Sequence, residues 1–368
     1  MRLPSPARVL ACALVAVGAL VILANRAFPD ESRVLGIAFV LAGVAGIAVE
    51  GPRLRPVVEA LAVLILVFAG GECAVRRENG IAARAYSDRL MHFVDDPLLR
   101  YEMQPGVNCG QEVTNPSGMM DVPRRLEKPP GTLRVACLGD SVGGDCDLFH
   151  TNVCATLEEI LGAARGGRPV EALNFSVPGY NTMQEARSLE IKALPFSPDV
   201  VVVLYVVNDP APDLAISHFL PGHFKFEHLL WSGADLAAWR IVGPPFDPFG
   251  AVFRPFYESP EAWDAVVVAG FDRIRAVAEA RHLPVVVAVF PLFAGPPEFS
   301  ALYAQVVREA ERHGFIAVDL SQAAYRDEPL AALLKPSRDA IHPNARAHRL
   351  AAEAIAHALV EHHPAVLR

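Results

Sequence analysis

Residues 132–144 read TLRVACLGDSVGG. The apolar part of this stretch stops at Gly139, and Asp140, Ser141, Val142, Gly143 and Gly144 follow without a spacer. A short apolar run closed by turn residues is the pattern of a buried strand. A serine placed directly after such a strand, among glycines, can present both its hydroxyl and its backbone N–H to a cleft.

The same order recurs along the chain. EALNFSV (171–177), DVVVVLYVV (199–207), PVVVAVF (284–290) and FIAVDL (315–320) read as further strands. Helical stretches are expected at 151–165, around 182–194, and at 261–282, 298–313 and 345–362. Strands that are apolar on both faces and alternate with helices predict an α/β fold, a parallel sheet covered by helices on both sides. Ligands of such sheets bind at the carboxyl ends of the strands. The second strand runs into Pro178-Gly179-Tyr180-Asn181 and the third into Asn208-Asp209-Pro210. Near the C-terminus stands Asp339-Ala340-Ile341-His342-Pro343-Asn344, whose Asp and His are close enough in one turn for the carboxylate to accept the ring N–H. Singly, each of these is weak. Gly-Asp-Ser and Pro-Gly occur in ordinary turns, Asn-Asp-Pro commonly starts a loop, and D-x-x-H is more often a surface hydrogen bond or half a metal site. Four motifs in this order, three of them at successive strand ends, are hard to obtain by chance.

Together these blocks resemble those of the SGNH (GDSL-like) hydrolases. The resemblance covers roughly residues 100–360 and includes a lead-in, Thr114-Asn115-Pro116-Ser117-Gly118-Met119, similar to one seen in some membrane-linked members. It implies a flavodoxin-like parallel sheet and a triad of Ser141 as nucleophile, His342 as base and Asp339 as its orienting carboxylate. It further implies an oxyanion hole made of the Ser141 and Gly179 backbone N–H groups and the Asn208 side chain. The third block departs from the family's G-x-N-D, since Val206 stands where the glycine is usual, but Asn208 itself is intact. The G-x-S-x-G elbow of the α/β-hydrolases is absent. A serine hydroxyl needs an adjacent base to become nucleophilic, so the expected chemistry is acyl transfer through an acyl-Ser141 intermediate. Water as acceptor makes it an esterase; a sugar hydroxyl makes it an O-acyltransferase. No cofactor and no metal is expected.

Ahead of this domain lie three apolar runs, at 9–25, 34–49 and 57–75. A spanning helix needs about 20 apolar residues, with ~17 near the lower limit. A cleaved signal peptide would account for the first run alone, and a buried bundle would show a polar stripe. The organisation expected is therefore a three-helix membrane anchor at 1–77, a loop-rich lead-in at 78–131, and the hydrolase domain at 132–368. Arginines divide evenly between the two sides, so charge leaves the orientation open; three spans from a cytoplasmic N-terminus would put the domain outside. Glu59, near the start of the third run, reads as interfacial.

A formal net charge of −8 gives no electrostatic support to nucleic-acid binding. The partners expected are the bilayer and an acyl ester, with acylated cell-envelope glycans following from the resemblance plus the anchor. Residues 211–259 form an aromatic and proline-rich insertion, read as a cap on the sheet edge or as a lid over an acyl or glycan pocket. That insertion keeps a lipase or thioesterase as an alternative, and a non-catalytic glycan-binding subunit is a third. Cys12, Cys73 and Cys137 lie in or beside apolar runs. Cys109, Cys146 and Cys154 lie in polar stretches, where one disulfide and free thiols are equally compatible with the sequence. His357, His362 and His363 read as solvated residues at a helix end.

Overall fold

The expected loop-rich lead-in instead contains two small antiparallel hairpins in the computed structural model. Strand β1 (Met91–Phe93) pairs with β2 (Tyr101–Met103), and β3 (Asn108–Cys109) with β4 (Glu112–Val113). Strands of two or three residues are too short for a period of two to register in sequence. Side chains hold them instead. Thr114 Oγ1 donates to the Gln104 carbonyl at 2.6 Å, and Asn115 Oδ1 accepts the Ser117 and Met119 N–H groups. Gly118 sits at φ +73°, and a Cβ there would lie 2.4 Å from the Met103 carbonyl oxygen.

The structure describes residues 90–109, 111–212, 248–293, 299–335 and 342–367. The three apolar runs of the expected anchor, most of the aromatic insertion and Asp339 lie outside the described residues. Among the described residues no helix is long and apolar enough to cross a membrane.

Five parallel strands follow the hairpins: β5 (Leu133–Gly139), β6 (Val170–Asn174), β7 (Val200–Tyr205), β8 (Val285–Val289) and β9 (Ile316–Asp319), in the order β6-β5-β7-β8-β9. Every residue of β5, β7 and β8 is buried, as strands covered on both faces require. Side chains alternate between two cores. Ala136, Leu138, Val201, Val203 and Val287 face one; Val135, Cys137, Val202, Leu204 and Val286 face the other. The first core is covered by α2 (Thr182–Ser188), α4 (Ala269–Arg281) and α5 (Ser300–Arg312), the second by α1 (Val153–Ala164) and α6 (Ala345–His362). Helix α3 (Pro248–Glu258) closes the insertion and leaves Tyr257 in the first core. The stretches expected as single helices at 182–194 and 261–282 each contain a π-turn, at Leu189–Ala193 and Asp264–Val268. Such one-residue excursions leave the apolar pattern almost unchanged.

The strand order reverses between β5 and β7, because the chain goes from β5 to the edge strand β6 and returns past β5. Neighbouring connections then leave on opposite faces and open a crevice at the strands' carboxyl ends.

Arg134 breaks the apolar run of β5 and is fully buried. Its guanidinium donates to Glu171 Oε2 at 2.6 Å and to the carbonyls of Leu126, Phe196, Arg125 and Glu127. One cation thus gathers the end of the lead-in and the β7 entry onto the amino edge of the sheet. Arg134→Met is expected to cost about 3 kcal/mol or more, by stranding several carbonyls and a carboxylate. Denaturant unfolding measures this, and an unchanged midpoint would refute the role.

Candidate active site

Ser141 stands two residues beyond Gly139, the last position of β5, which pairs with Leu204. The buried Asp140 carboxylate shapes the turn by accepting the Val142 N–H at 2.8 Å, while the Asp140 carbonyl accepts the Gly144 N–H at 2.8 Å. Gly143 is a matter of space. A Cβ there would meet Ser176 Oγ at 2.1 Å and Leu204 Cδ1 at 2.9 Å, so a side chain would push the serine loop off the sheet. From the end of β6, buried Asn174 donates to the Gly143 carbonyl at 2.8 Å and accepts the Ser176 N–H. Asn174 was not legible as a site-building residue, since an asparagine in a strand carries no such signal.

His342 reaches the serine from the far end of the chain: its Nε2 lies 2.8 Å from Ser141 Oγ. Local chemistry explains the approach. Asn344 caps α6 by accepting the Ala347 N–H, and its amide donates to the Ala332 and Leu334 carbonyls. Pro343 pairs with Leu334, and the Lys335 N–H donates to the His342 carbonyl at 3.1 Å. The histidine therefore opens a pinned three-residue segment, His342 to Asn344, that leads into the helix. Asp339 lies outside the described residues.

Gly179 and Asn208 lie on the loops that follow β6 and β7, on either side of the Ser141 loop. Gly179 adopts φ +81° in a turn closed by the Tyr180 N–H on the Val177 carbonyl, with Pro178 ahead of it; the positive φ is what requires the glycine. Two tyrosines hold this turn to the lead-in. Tyr180 Oη donates to the Tyr101 carbonyl, Tyr101 Oη donates to the Pro178 carbonyl, and the rings meet edge to face at 5.3 Å. Asn208 is half-buried, and its carbonyl accepts the Ala211 N–H. Burial pushes the Asp140 carboxyl above the usual range, opposed by the Val142 N–H, His342, the Asn208 amide and the Ser141 N–H.

A disulfide joins Cys109 of β3 to Cys146, in the loop that follows Ser141. Cys154 is a correction to the sequence reading. It is not in polar surroundings but buried under α1 with Cys137, both as free thiols. Burial and the neighbouring Cys137 hold its thiol well above its ordinary pKa, so it is inert rather than reactive.

Behind the Asn208 loop lie Glu185 and Asp209, both fully buried, whose four carboxyl oxygens have no hydrogen-bond partner among the described residues. Burial pushes both well above the carboxylate range; the charge of Asp140 adds to it for each, and that of Glu185 adds to it for Asp209. Their local sequence, Gln-Glu in a helix and Asn-Asp after a strand, does not announce that the two acids approach each other.

The description of the GDSL-like lipase/acylhydrolase family matches residues 137–350, more than half of the chain, and the chain belongs to that family. It is an enzyme of the esterase and acylhydrolase type. Solved structures similar to it include LAE5, an alpha/beta hydrolase from the metagenome of Lake Arreo, at 20% identity over 61% of this chain and 94% of that one, with a TM-score of 0.40. A catalytic mutant of Axe2, an acetylxylan esterase from Geobacillus stearothermophilus, matches at 15% identity over 62% and 94%, TM-score 0.38. A lipase/acylhydrolase from Enterococcus faecalis matches at 14% over 62% and 96%, TM-score 0.39. No curated protein matches the chain.

The buried acids give a pH signature. Their folded-state pKa values are raised above the unfolded value of about 4. Above that pH the folded state therefore holds more protons than the unfolded one, and stability falls as pH rises. Glu185→Gln removes one of these protons from the balance. Urea unfolding between pH 5 and pH 8 is expected to show a shallower loss of stability in the variant than in the wild type; parallel curves would refute the account.

Proposed function

We propose that the chain is a membrane-anchored serine esterase or O-acyltransferase that works through an acyl-Ser141 intermediate on acylated cell-envelope glycans or related esters. The hydrogen bond between Ser141 Oγ and His342 Nε2 carries this reading. His342 takes the serine proton as Oγ attacks the ester carbonyl, and returns it to the departing alcohol. Asp339, three residues before the histidine, is assigned to hold the ring tautomer. The tetrahedral oxyanion is assigned to the Ser141 and Gly179 N–H groups and the Asn208 amide. A second cycle, with water or a sugar hydroxyl in place of the alcohol, frees the enzyme.

The Cys109–Cys146 disulfide supports a domain facing an oxidising compartment. A three-span anchor starting from a cytoplasmic N-terminus would deliver the domain there.

The full-length protein in detergent is expected to hydrolyse p-nitrophenyl acetate and to react with a fluorophosphonate probe at Ser141. Ser141→Ala should lower turnover by ~10³-fold or more and abolish labelling. Asn208→Ala should cost about 10²–10³ in kcat. Adding chito-oligosaccharide and weighing the products distinguishes transfer to a sugar from hydrolysis. Labelling that persists in Ser141→Ala, or a wild type neither active nor labelled, would sink the assignment. In intact spheroplasts, external protease should digest the domain while a cytoplasmic marker survives; protection of the domain would reverse the orientation.

A further inference from the structure

The two halves of the reacting pair are 201 residues apart in sequence, and each is anchored by its own surroundings. The serine loop is held in shape by Asp140, tied to the sheet by Asn174 and tied to the lead-in by the disulfide. The histidine segment is tied to α6 through Asn344. A hydrogen bond of 2.8 Å between side chains so mounted needs the two loops held against each other. We infer that Lys335 does this: it is a positioning residue that clamps the nucleophile loop to the histidine segment.

Lys335 grips both sides with different groups. Its backbone N–H donates to the His342 carbonyl at 3.1 Å. Its Nζ donates to both oxygens of Asp145, at 2.7 and 3.0 Å, and to Asp147 Oδ2 at 2.9 Å. Asp145 lies between Gly144 and the disulfide-bonded Cys146, and its carboxylate also accepts the Asp147 N–H at 3.0 Å. The carboxylate therefore sits at a fixed point of the serine loop.

Lys335 and Asp145 have side chains only 16% and 11% exposed, whereas Asp147 is 70% exposed. The contact to Asp145 is thus shielded from water and salt, while that to Asp147 resembles an ordinary surface pair. Burial alone would lower the Lys335 pKa; the hydrogen bonds that it donates to Asp145 and Asp147 outweigh this and raise it, so the clamp stays charged. A lysine followed by proline in a surface-like stretch carries no sign of this role in sequence.

A misplacement of about 1 Å between reacting groups can cost ~10²-fold in rate. The inference rests on the proposed Ser141–His342 chemistry, and its test separates the two. In full-length protein, Lys335→Met is expected to lower kcat and the fluorophosphonate labelling rate of Ser141 by about 10–10²-fold, with KM within about threefold of wild type. Lys335→Arg, which keeps the cation, should recover most of the loss. Asp145→Asn should resemble Lys335→Met, the double variant should be no worse than either single one, and Asp147→Asn should stay near wild type. If Lys335→Met does not fold, judged by its thermal transition, Asp145→Asn and Lys335→Arg carry the test. Wild-type kcat in folded Lys335→Met or Asp145→Asn overturns the clamp and leaves the serine mechanism standing. A parallel loss in kcat and Tm that Lys335→Arg fails to restore also overturns it, because that pattern belongs to packing alone. A wild type that neither turns over nor labels at Ser141 removes both.

Discussion

Everything at the site depends on a sheet buried on both faces. Fully burying a valine or leucine side chain contributes about 1.5–3 kcal/mol, and all residues of β7 and β8 but Tyr205 and Ala288 are of these two types. Since their side chains alternate between two cores, neither face can slip by one residue without exchanging its helices' packing surfaces. That fixed register places the ends of β5 and β7 side by side. Ser141 and Asn208 inherit their places from it. The order β6-β5-β7 then sets the Gly179 loop on the other side of the serine.

On that base, the serine loop is determined by space as much as by hydrogen bonds. Gly143 and Gly144 press against Ser176, Leu204 and Met120 so closely that a Cβ would lie under 3.0 Å from them. Asn174 and Asp140 satisfy the backbone groups that the tight turn leaves over. The lead-in belongs to the same construction. Its Tyr101 holds the Gly179 turn and its Cys109 is bonded to the serine loop, so the hairpins act as a buttress for two of the loops.

The strands of the hydrolase domain are legible in sequence because continuous apolar runs closed by turn residues report burial on both faces, and the longer stretches between them read as helices. The Ser141–His342 pairing was legible only through the resemblance of ordered motifs; no local pattern joins positions so far apart. What escaped has physical reasons. The hairpins of the lead-in are too short to show periodicity, and Arg134 contradicts the apolar strand that it anchors. Asn174, Asp145 and Lys335 act through contacts between segments distant in the chain. Cys154 looked polar because its neighbours in sequence are, while its neighbours in space are Cys137 and the second core. Pairing of Cys109 with Cys146 likewise depends on where β3 lies over the serine loop.

The buried acids bear on the chemistry as well as on stability. On the proposed mechanism a negative charge develops on the carbonyl oxygen beside the Asn208 amide. An ionised carboxylate about 8 Å away would oppose it by about 2 kcal/mol at an effective dielectric constant of about 20, or more than tenfold in rate. Asp140, Glu185 and Asp209 all lie close behind the loops that carry the site, and an arrangement of three anions there would work against it. Burial works against this by pushing all three carboxyls upward, Glu185 and Asp209 well above the ordinary carboxylate range, which favours their uncharged forms. His348, buried on α6 with its pKa pushed down to about 3 by burial and by the charges of His342 and Lys335, is neutral for the same reason. The low-dielectric surroundings that make these groups costly to ionise are also what would make the few donors aimed at the oxyanion effective.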